Sequence, residues 1–185
     1  ETALHWAAAF GQSASISLLV HLRADVHVKS KAQWRPMHSA ARRGCEDDIR
    51  LLACCQAEVD ASADHGSTPL HLAGSHGHPG ATRALIELGA DAHRKTWASN
   101  FARTVLHLAA QNGHAFVVQM LVELRANVNA RDKDMWTPLH LAAWNANAQI
   151  VTLLAKSKAN LQATTDARRT AIALTEDPGT RDVIA

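Results

Sequence analysis

Aromatic residues are scarce in this sequence: tyrosine is absent, and aromatic side chains make up only 4% of the residues. Apolar residues nonetheless reach 47%, and alanine supplies much of that fraction. Small side chains let helices approach closely, so we expect a core of tightly packed helices. No apolar run approaches 18 residues, which excludes a membrane-spanning helix on length.

Cysteine is also scarce, and neither sign of charge is in large excess. The three cysteines are odd in number, and two of them, Cys54 and Cys55, are adjacent, so a disulfide framework is not expected. Reduced thiols fit an intracellular protein, in the cytoplasm first, with an organelle interior or the nucleus as alternatives. The net charge is +2 and the basic residues are scattered, whereas a nucleic-acid binder concentrates them in a stripe. We therefore expect no nucleic-acid partner.

One seven-residue motif recurs along the chain. Its best copy reads Thr-Pro-Leu-His-Leu-Ala-Ala at residues 137–143, and related segments begin at residues 2, 35, 68, 104 and 170. The motif histidine falls at His5, His38, His71, His107 and His140, with Ala173 in the sixth place. The spacings of 33, 33, 36, 33 and 33 residues indicate stacked structural repeats.

With this motif at this period, the chain resembles an ankyrin-repeat protein, whose unit is a turn followed by two antiparallel helices. The resemblance implies an all-α solenoid of stacked repeats with β-hairpin or finger loops, in a single domain over residues 1–185. The six approximate repeats are 1–29, 30–62, 63–95, 96–131, 132–164 and 165–185. The first and last are incomplete, and because Glu1 lies inside a motif we expect further chain upstream.

Each residue of the motif has a physical role. A Thr oxygen caps a helix N-terminus, Pro at the first helical position forfeits no useful donor, and Leu enters the core. For the His, the resemblance implies hydrogen bonds within and between neighbouring repeats. Repeat two has Arg35 in place of the Thr, and repeats one and four have Ala3 and Val105 in place of the Pro. Repeats three and five keep all four residues, so we expect them to be the best formed.

Glycine is missing where the family usually has it. Only Gly89 follows an outer helix, and the matching positions elsewhere hold Arg23, Gln56, Arg125 and Lys158. Similarly, one finger has Gly66, where others have Gln33, Met135 and Arg168. Either these residues adopt left-handed backbone at about 1 kcal/mol each, or the local turn differs.

The finger that leads into repeat four is longer than the others. The spacing of 36 residues between His71 and His107 places three extra residues within 93–103. Insertions in loops cost little stability, and functional residues concentrate in loops. The inserted finger is therefore a candidate contact region.

In the family, finger tips and inner helices line a concave face that binds partners, so the resemblance implies a binding surface at the matching positions. These positions are the residue before each motif Thr and the two residues after its Ala-Ala. Together with the inserted finger, they give the candidate partner-binding residues Trp34, Arg42, Arg43, His76, Trp97, Phe101, Arg103, Asn112, Trp136, Trp144 and Asn145. Trp and Arg are enriched in binding hot spots. The alternative is that each indole packs on a neighbouring finger; Trp6, on an inner helix, is expected to pack.

Metal binding and catalysis are not expected. Of twelve histidines, five belong to the motif, His78 and His114 belong to Gly-His turns, and the other five lack ligand spacing, as do Cys54 and Cys55. No Gly-rich phosphate loop or Gly-x-Ser-x-Gly elbow is present. Cys45 precedes three acidic residues, whose charge opposes thiolate formation. We expect no metal, no cofactor and no enzymatic activity.

The function predicted is that of a non-enzymatic scaffold or adaptor that binds another protein through its concave face. Two alternatives stay open. The chain is the ankyrin region of a larger enzyme, channel or signalling protein, or it is a peripheral structural subunit of a large assembly, for instance in an organelle. The sequence does not identify the partner, because fold does not determine function.

Overall fold

A computed structural model of the chain describes residues 1–97 and 101–184. The chain forms two compact units: unit 1, Glu1–Asp91, and unit 2, Ala92–Ala185. All regular secondary structure in the described residues is helical. The predicted all-α class is confirmed.

In unit 1, inner helices alternate with outer helices along the chain. The inner helices are α1 Ala3–Ala9, α3 Pro36–Arg43 and α5 Pro69–Ser75. The outer helices are α2 Ser13–His21, α4 Glu46–Cys54 and α6 Pro79–Glu87. Helix α3 packs between α1 and α5, and α4 packs between α2 and α6, so unit 1 has two helical layers. Fully buried side chains come from both layers, including Met37, Leu70, Ile16 and Ile49.

Unit 2 follows the same plan. Its inner helices are α7 Val105–Gln111, α9 Pro138–Trp144 and α11 Ala171–Leu174. Its outer helices are α8 Ala115–Glu123, α10 Ala148–Lys156 and α12 Pro178–Ile184. Helix α9 packs between α7 and α11, and α10 contacts both α8 and α12. Helix α11 has only four residues because Thr175 returns to extended backbone.

The motif explains where the inner helices begin. In α5 and α9 the hydroxyl oxygens of Thr68 and Thr137 accept the backbone N–H of the histidine three residues on, at 3.4 Å. The backbone N–H of each Thr in turn donates to Nδ1 of that histidine. Two groups that helix formation leaves unpaired are thereby satisfied together. At α3, Arg35 offers only its backbone N–H to His38, 3.2 Å from Nδ1.

The buried motif histidines also reach the following finger. In His5, His38 and His107, Nε2 lies within hydrogen-bond distance of a backbone carbonyl 29 residues further along the chain. The pairs are His5–Trp34 at 2.8 Å, His38–Ser67 at 3.3 Å and His107–Trp136 at 3.1 Å. Because Nδ1 accepts an N–H, the ring proton is on Nε2 and is donated to that carbonyl. The hydrogen bonds implied by the resemblance are confirmed, and each one fixes the finger residue that precedes the next motif.

The positions without glycine adopt left-handed backbone. After the outer helices, φ is +69° at Arg23, +66° at Gln56, +61° at Arg125 and +65° at Lys158, beside +97° at Gly89. In the fingers, Gln33, Met135 and Arg168 have φ between +55° and +63°. The turn geometry is therefore that of the glycine-containing copies, and the first of the two alternatives is correct. The left-handed backbone at each of these non-glycine residues costs roughly 1 kcal/mol.

A backbone hydrogen bond from the first residue of each finger to its last closes the loop. In ordinary fingers this bond spans four residues, as from Ser30 N–H to the Trp34 carbonyl at 2.7 Å. In the inserted finger it runs from Thr96 N–H to the Arg103 carbonyl at 3.0 Å and spans seven. The difference confirms three extra residues between Thr96 and Arg103, where positions 98–100 lie outside the described residues. Such short loops form no ladder, so the expected β-hairpins are turns without strands in the described chain.

Candidate interaction surface

Finger residues contact the ends of the inner helices that follow them. The contacts join the residue before the motif Thr to the residue eight positions later. In repeat two, Arg35 stands in place of that Thr. The pairs are Trp34–Arg42, Arg103–Gln111 and Trp136–Trp144. Eight residues span a little over two helical turns, so the last side chain of a short inner helix lies on the same side as the finger before it. The predicted finger and helix positions therefore meet within repeats two, four and five.

Unit 1 carries three aromatic rings and two guanidinium groups together, at the ends of α1 and α3. Trp6 stacks on Phe10 with ring centroids 5.8 Å apart and planes 12° from parallel. The guanidinium carbon of Arg43 lies 5.7 Å from the Phe10 centroid, and that of Arg42 lies 5.3 Å from the Trp34 centroid. We call Trp6, Phe10, Trp34, Arg42 and Arg43 the aromatic–arginine cluster.

The prediction that Trp6 packs within the helix stack is wrong. Its side chain is 53% exposed, and Phe10 is 58% exposed. The two rings are four residues apart on consecutive turns of α1, a spacing at which helical side chains contact each other. The spacing of four residues was therefore the feature of the sequence that could have predicted the stacking on Phe10. This stacking holds the indole of Trp6 at the surface.

Unit 2 contains a tryptophan pair. Trp136 and Trp144 meet edge to face, with centroids 5.9 Å apart and planes at 75°. Trp136 also lies 6.1 Å from the ring of His140 and is half-buried, whereas Trp144 is 56% exposed. Trp136 thus packs on the inner helix of its own repeat and holds Trp144 at the surface, and contact of either indole with a partner stays a prediction.

Arg103 is engaged inside unit 2. Its Nε donates to Asp132 Oδ2 at 3.2 Å, its Nη1 donates to Gln111 Oε1 at 2.6 Å, and its guanidinium lies 4.4 Å from the Phe101 centroid. Its side chain is only 12% exposed. The carboxylate of Asp132 also accepts the N–H of Trp136 at 2.9 Å. Arg103 therefore joins the inserted finger to the next one, and a direct contact with a partner remains a prediction.

The inserted finger presents two aromatic side chains. Trp97 is 63% exposed and Phe101 is 38% exposed. The backbone carbonyl of Phe101 accepts the N–H of Lys133 in the following finger at 2.7 Å. Phe101 is thus fixed against its neighbour, and Trp97 projects from the surface.

The polar candidates lie at the C-terminal ends of inner helices. His76 and Asn145 are exposed, and each bonds back to its own helix: the His76 ring contacts the Leu72 carbonyl at 2.9 Å, and the Asn145 amide donates to the Leu141 carbonyl at 3.1 Å. Asn145 also donates to the Gln111 carbonyl at 3.0 Å. Asn112 is exposed at the end of α7. These three residues shape the helix ends and leave polar groups beside the aromatic ones.

The buried titratable groups favour a structural role. Burial lowers the pKa of His38 and of His107 to about 4, so both rings are neutral at physiological pH. Burial and the nearby Asp48 raise the pKa of the Cys45 thiol above its usual value, which disfavours the nucleophilic thiolate. The three cysteines are free thiols. In the described part of the chain, no three His, Cys, Asp or Glu side chains gather as metal ligands.

Comparison with family models identifies one family in this chain. The family model for ankyrin repeats in three copies matches residues 4–96 and 93–165. The chain is 39% identical over 70 residues to protein phosphatase 1 regulatory subunit 27 of Homo sapiens, covering 38% of this chain and 46% of that protein.

Two further relatives are much longer. The transient receptor potential cation channel subfamily A member 1 of Homo sapiens is 34% identical over 97 residues, 48% of this chain and 8% of the channel. The tyrosine-protein kinase Shark of Drosophila melanogaster is 31% identical over 102 residues, 55% of this chain and 11% of the kinase. The chain thus spans less than half the length of each of these three relatives, and their names describe different activities.

Helices of the described region are too short or too polar to cross a lipid bilayer. The repeated Thr–His capping, the histidine-to-carbonyl bonds and the two helical layers agree with the family match over most of the sequence. This chain belongs to the ankyrin-repeat family.

Proposed function

We propose that this chain is a non-enzymatic scaffold or adaptor that binds another protein through its fingers and the ends of its inner helices. The observation that carries the proposal is the Trp136–Trp144 pair, in which an indole 56% exposed is held edge to face by a neighbour. Ankyrin repeats are protein-interaction modules, and Trp is enriched in binding hot spots.

The energetics favour binding at such a pair. Covering exposed apolar area contributes about 25 cal/mol per Å², and an indole offers more of that area than other side chains. Contact with Trp136 already restricts Trp144, so less side-chain entropy is lost when a partner covers the ring. In unit 1 the aromatic–arginine cluster has the same character, and Trp97 and Phe101 extend the surface of unit 2 into the inserted finger.

The proposal includes the organisation of the chain. Six repeats in a single domain account for the helix pairs α1–α2 to α11–α12. An intracellular setting fits the free thiols of Cys45, Cys54 and Cys55.

The test begins with identification of the partner. Affinity purification of the full-length protein from its natural source, with lysine-directed crosslinking and mass spectrometry, should give crosslinks from Lys95 and Lys133 beside the fingers. Calorimetry with that partner should then show that Trp136→Ala and Trp144→Ala each weaken binding by about 1–2 kcal/mol, since hot-spot truncations have at least this effect.

The chain offers a matched control. Phe116 is 76% exposed on the outer helix α8, away from the fingers, so Phe116→Ala should leave the affinity unchanged. Wild-type affinity for both tryptophan variants, or an equal loss for Phe116→Ala, would remove the surface assignment.

A second candidate follows from the lengths of the relatives. Because this chain corresponds to 8% of a cation channel and 11% of a tyrosine kinase, the repeats also fit a docking region of a larger enzyme, channel or signalling protein. The mass of the purified natural protein distinguishes these cases. Recovery only within a large, slowly exchanging assembly would instead favour a peripheral structural subunit.

A further inference from the structure

The aromatic–arginine cluster of unit 1 combines exposed apolar area with positive charge. Trp6 and Phe10 are each more than half exposed, and both Arg42 and Arg43 are exposed at the C-terminal end of α3. Each guanidinium lies over an aromatic ring, which limits its conformations and leaves its outer N–H groups for a ligand.

Arg42 and Arg43 differ from the three arginines that form ion pairs in the described residues. Arg35 pairs with Glu58 at 2.7 Å, Arg50 pairs with Glu46 and Glu87, and Arg103 pairs with Asp132. No carboxylate of the described residues lies within 4.0 Å of the guanidinium of Arg42 or Arg43. Their charge is therefore not neutralised within the protein.

The unpaired guanidinium groups and the exposed rings together favour a ligand that has both a carboxylate and an apolar group. A guanidinium binds carboxylate with two parallel hydrogen bonds, and a desolvating aromatic neighbour strengthens the attraction. The exposed faces of Trp6 and Phe10 require an apolar side chain next to that carboxylate. A basic segment would be repelled by Arg42 and Arg43, and a wholly polar one would leave the rings uncovered.

We propose that the aromatic–arginine cluster binds an acidic segment of a partner protein, in which Asp or Glu residues flank an apolar side chain. The inference rests on the proposed function and specifies the partner for unit 1. The carboxylates pair with Arg42 and Arg43, and the apolar side chain covers Phe10 and Trp6.

Arginine and aromatic side chains also bind nucleic acids. The charge of the rest of unit 1 favours an acidic peptide over a nucleic acid. Asp and Glu outnumber Lys and Arg over residues 1–91. Two adjacent arginines against that background suit a short acidic peptide, whereas a polyphosphate backbone requires an extended run of positive charge.

The experiment is peptide display against the full 185-residue chain, with a random twelve-residue library. The expected result is selection of peptides enriched in Asp and Glu around an apolar residue. Selected peptides, synthesised with a fluorophore, should bind at least tenfold more weakly, by anisotropy, to the double variant Arg42→Ala/Arg43→Ala and to Phe10→Ala. Replacing Asp and Glu by Asn and Gln in the peptide should have the same effect.

Matched variants separate this site from general electrostatics. Arg83, on the outer helix α6, and Arg23, after α2, are also exposed, so Arg23→Ala/Arg83→Ala removes the same charge from unit 1 and should leave the affinity within twofold. Circular dichroism of all variants should match the wild type, since each replaced side chain is exposed.

Other outcomes would overturn the inference. These are selection of peptides without acidic enrichment, selection of none, equal loss in both arginine double variants, or tighter binding of a single-stranded twelve-nucleotide RNA than of the selected peptides. Failure here is distinguishable from failure of the proposed function, because the latter depends on the natural partner and on Trp136 and Trp144 in unit 2.

Discussion

Nε2 of His107 lies 3.1 Å from the carbonyl oxygen of Trp136, so a buried ring of one repeat holds the finger residue that leads into the next. The same histidine accepts the Thr104 N–H at its Nδ1. A scaffold contact thus sets the backbone position of a candidate binding tryptophan. The proposed binding through Trp136 would therefore depend on a contact that also stabilises the fold.

We expect His107→Ala to lower the free energy of unfolding by about 2–4 kcal/mol, because it leaves the Thr104 N–H and the Trp136 carbonyl unpaired and opens a cavity. Urea denaturation measures this change, and near-ultraviolet circular dichroism should show that the Trp136–Trp144 pair is altered. His21 is exposed on α2, so His21→Ala should stay within about 0.5 kcal/mol of the wild type. Equal stability of the two variants would contradict the structural role of His107.

Stability should fall on acidification from about pH 6.5 to pH 4, the unfolded and folded pKa values of His38 and His107. In this window the unfolded chain binds protons that the folded chain does not, so the free energy of unfolding decreases as pH falls. Each histidine contributes a slope of up to about 1.4 kcal/mol per pH unit. Burial also lowers the pKa of His140 and adds to the slope, whereas the raised pKa of Asp48 opposes it at the acidic end.

Urea denaturation at half-unit pH intervals measures this dependence. Above pH 7 the histidine contribution should be complete and the stability flat, and below pH 4 the contribution of His38 and His107 should be lost. His107→Gln should reduce the slope because one titrating group is gone. A slope that is unchanged in this variant would assign the acid sensitivity to other groups.

Asp132 connects Arg103 to the next finger, and we expect Asp132→Ala to cost about 3 kcal/mol of stability. The change leaves a guanidinium that is 12% exposed without its carboxylate, and it frees the N–H groups of Asp134 and Trp136. Asp132→Asn should cost less, since an amide oxygen still accepts these N–H groups. Thermal unfolding with calorimetry provides the measurement, and Asp166→Ala, at an exposed finger residue, is the control. Similar melting curves for Asp132→Ala and Asp166→Ala would exclude this role.

Features fixed by local backbone were predictable from the sequence. The motif predicted the helix starts, because a Thr oxygen and a Pro at the first helical position favour a helix N-terminus. The histidine bonds were implied by the resemblance to ankyrin repeats. The extra three residues of the inserted finger were located because the flanking helices kept their pattern. The left-handed positions followed from alignment with Gly89, although the sequence alone left two turn geometries open.

Side-chain exposure on the candidate surface was less predictable. The low exposure of Arg103 depends on its pairing with Asp132. That residue is 29 positions further along the chain and lies in the next finger. The position of Trp6 on an inner helix predicts that it packs, but stacking on Phe10 holds it at the surface. Both outcomes depend on which pairs of side chains meet, and repeat register does not determine them.

Ala146 occupies the turn between α9 and α10 with φ of +54°, where the equivalent turns have Gly11, Gly44, Gly77 and Gly113 at φ between +68° and +80°. We expect Ala146→Gly to stabilise the protein by about 0.5–1 kcal/mol, since left-handed strain on Ala of 1–2 kcal/mol exceeds the extra entropy that glycine loses on folding. Urea denaturation measures the gain.

The control is an alanine to glycine change inside a helix. Ala155 lies in the last turn of α10, so Ala155→Gly should destabilise the protein by about 0.5–1 kcal/mol because glycine is a weaker helix former than alanine. A higher free energy of unfolding for Ala146→Gly and a lower one for Ala155→Gly would show that backbone conformation determines both effects. If Ala146→Gly instead lowers the stability, the alanine methyl group contributes more by packing than it costs in strain.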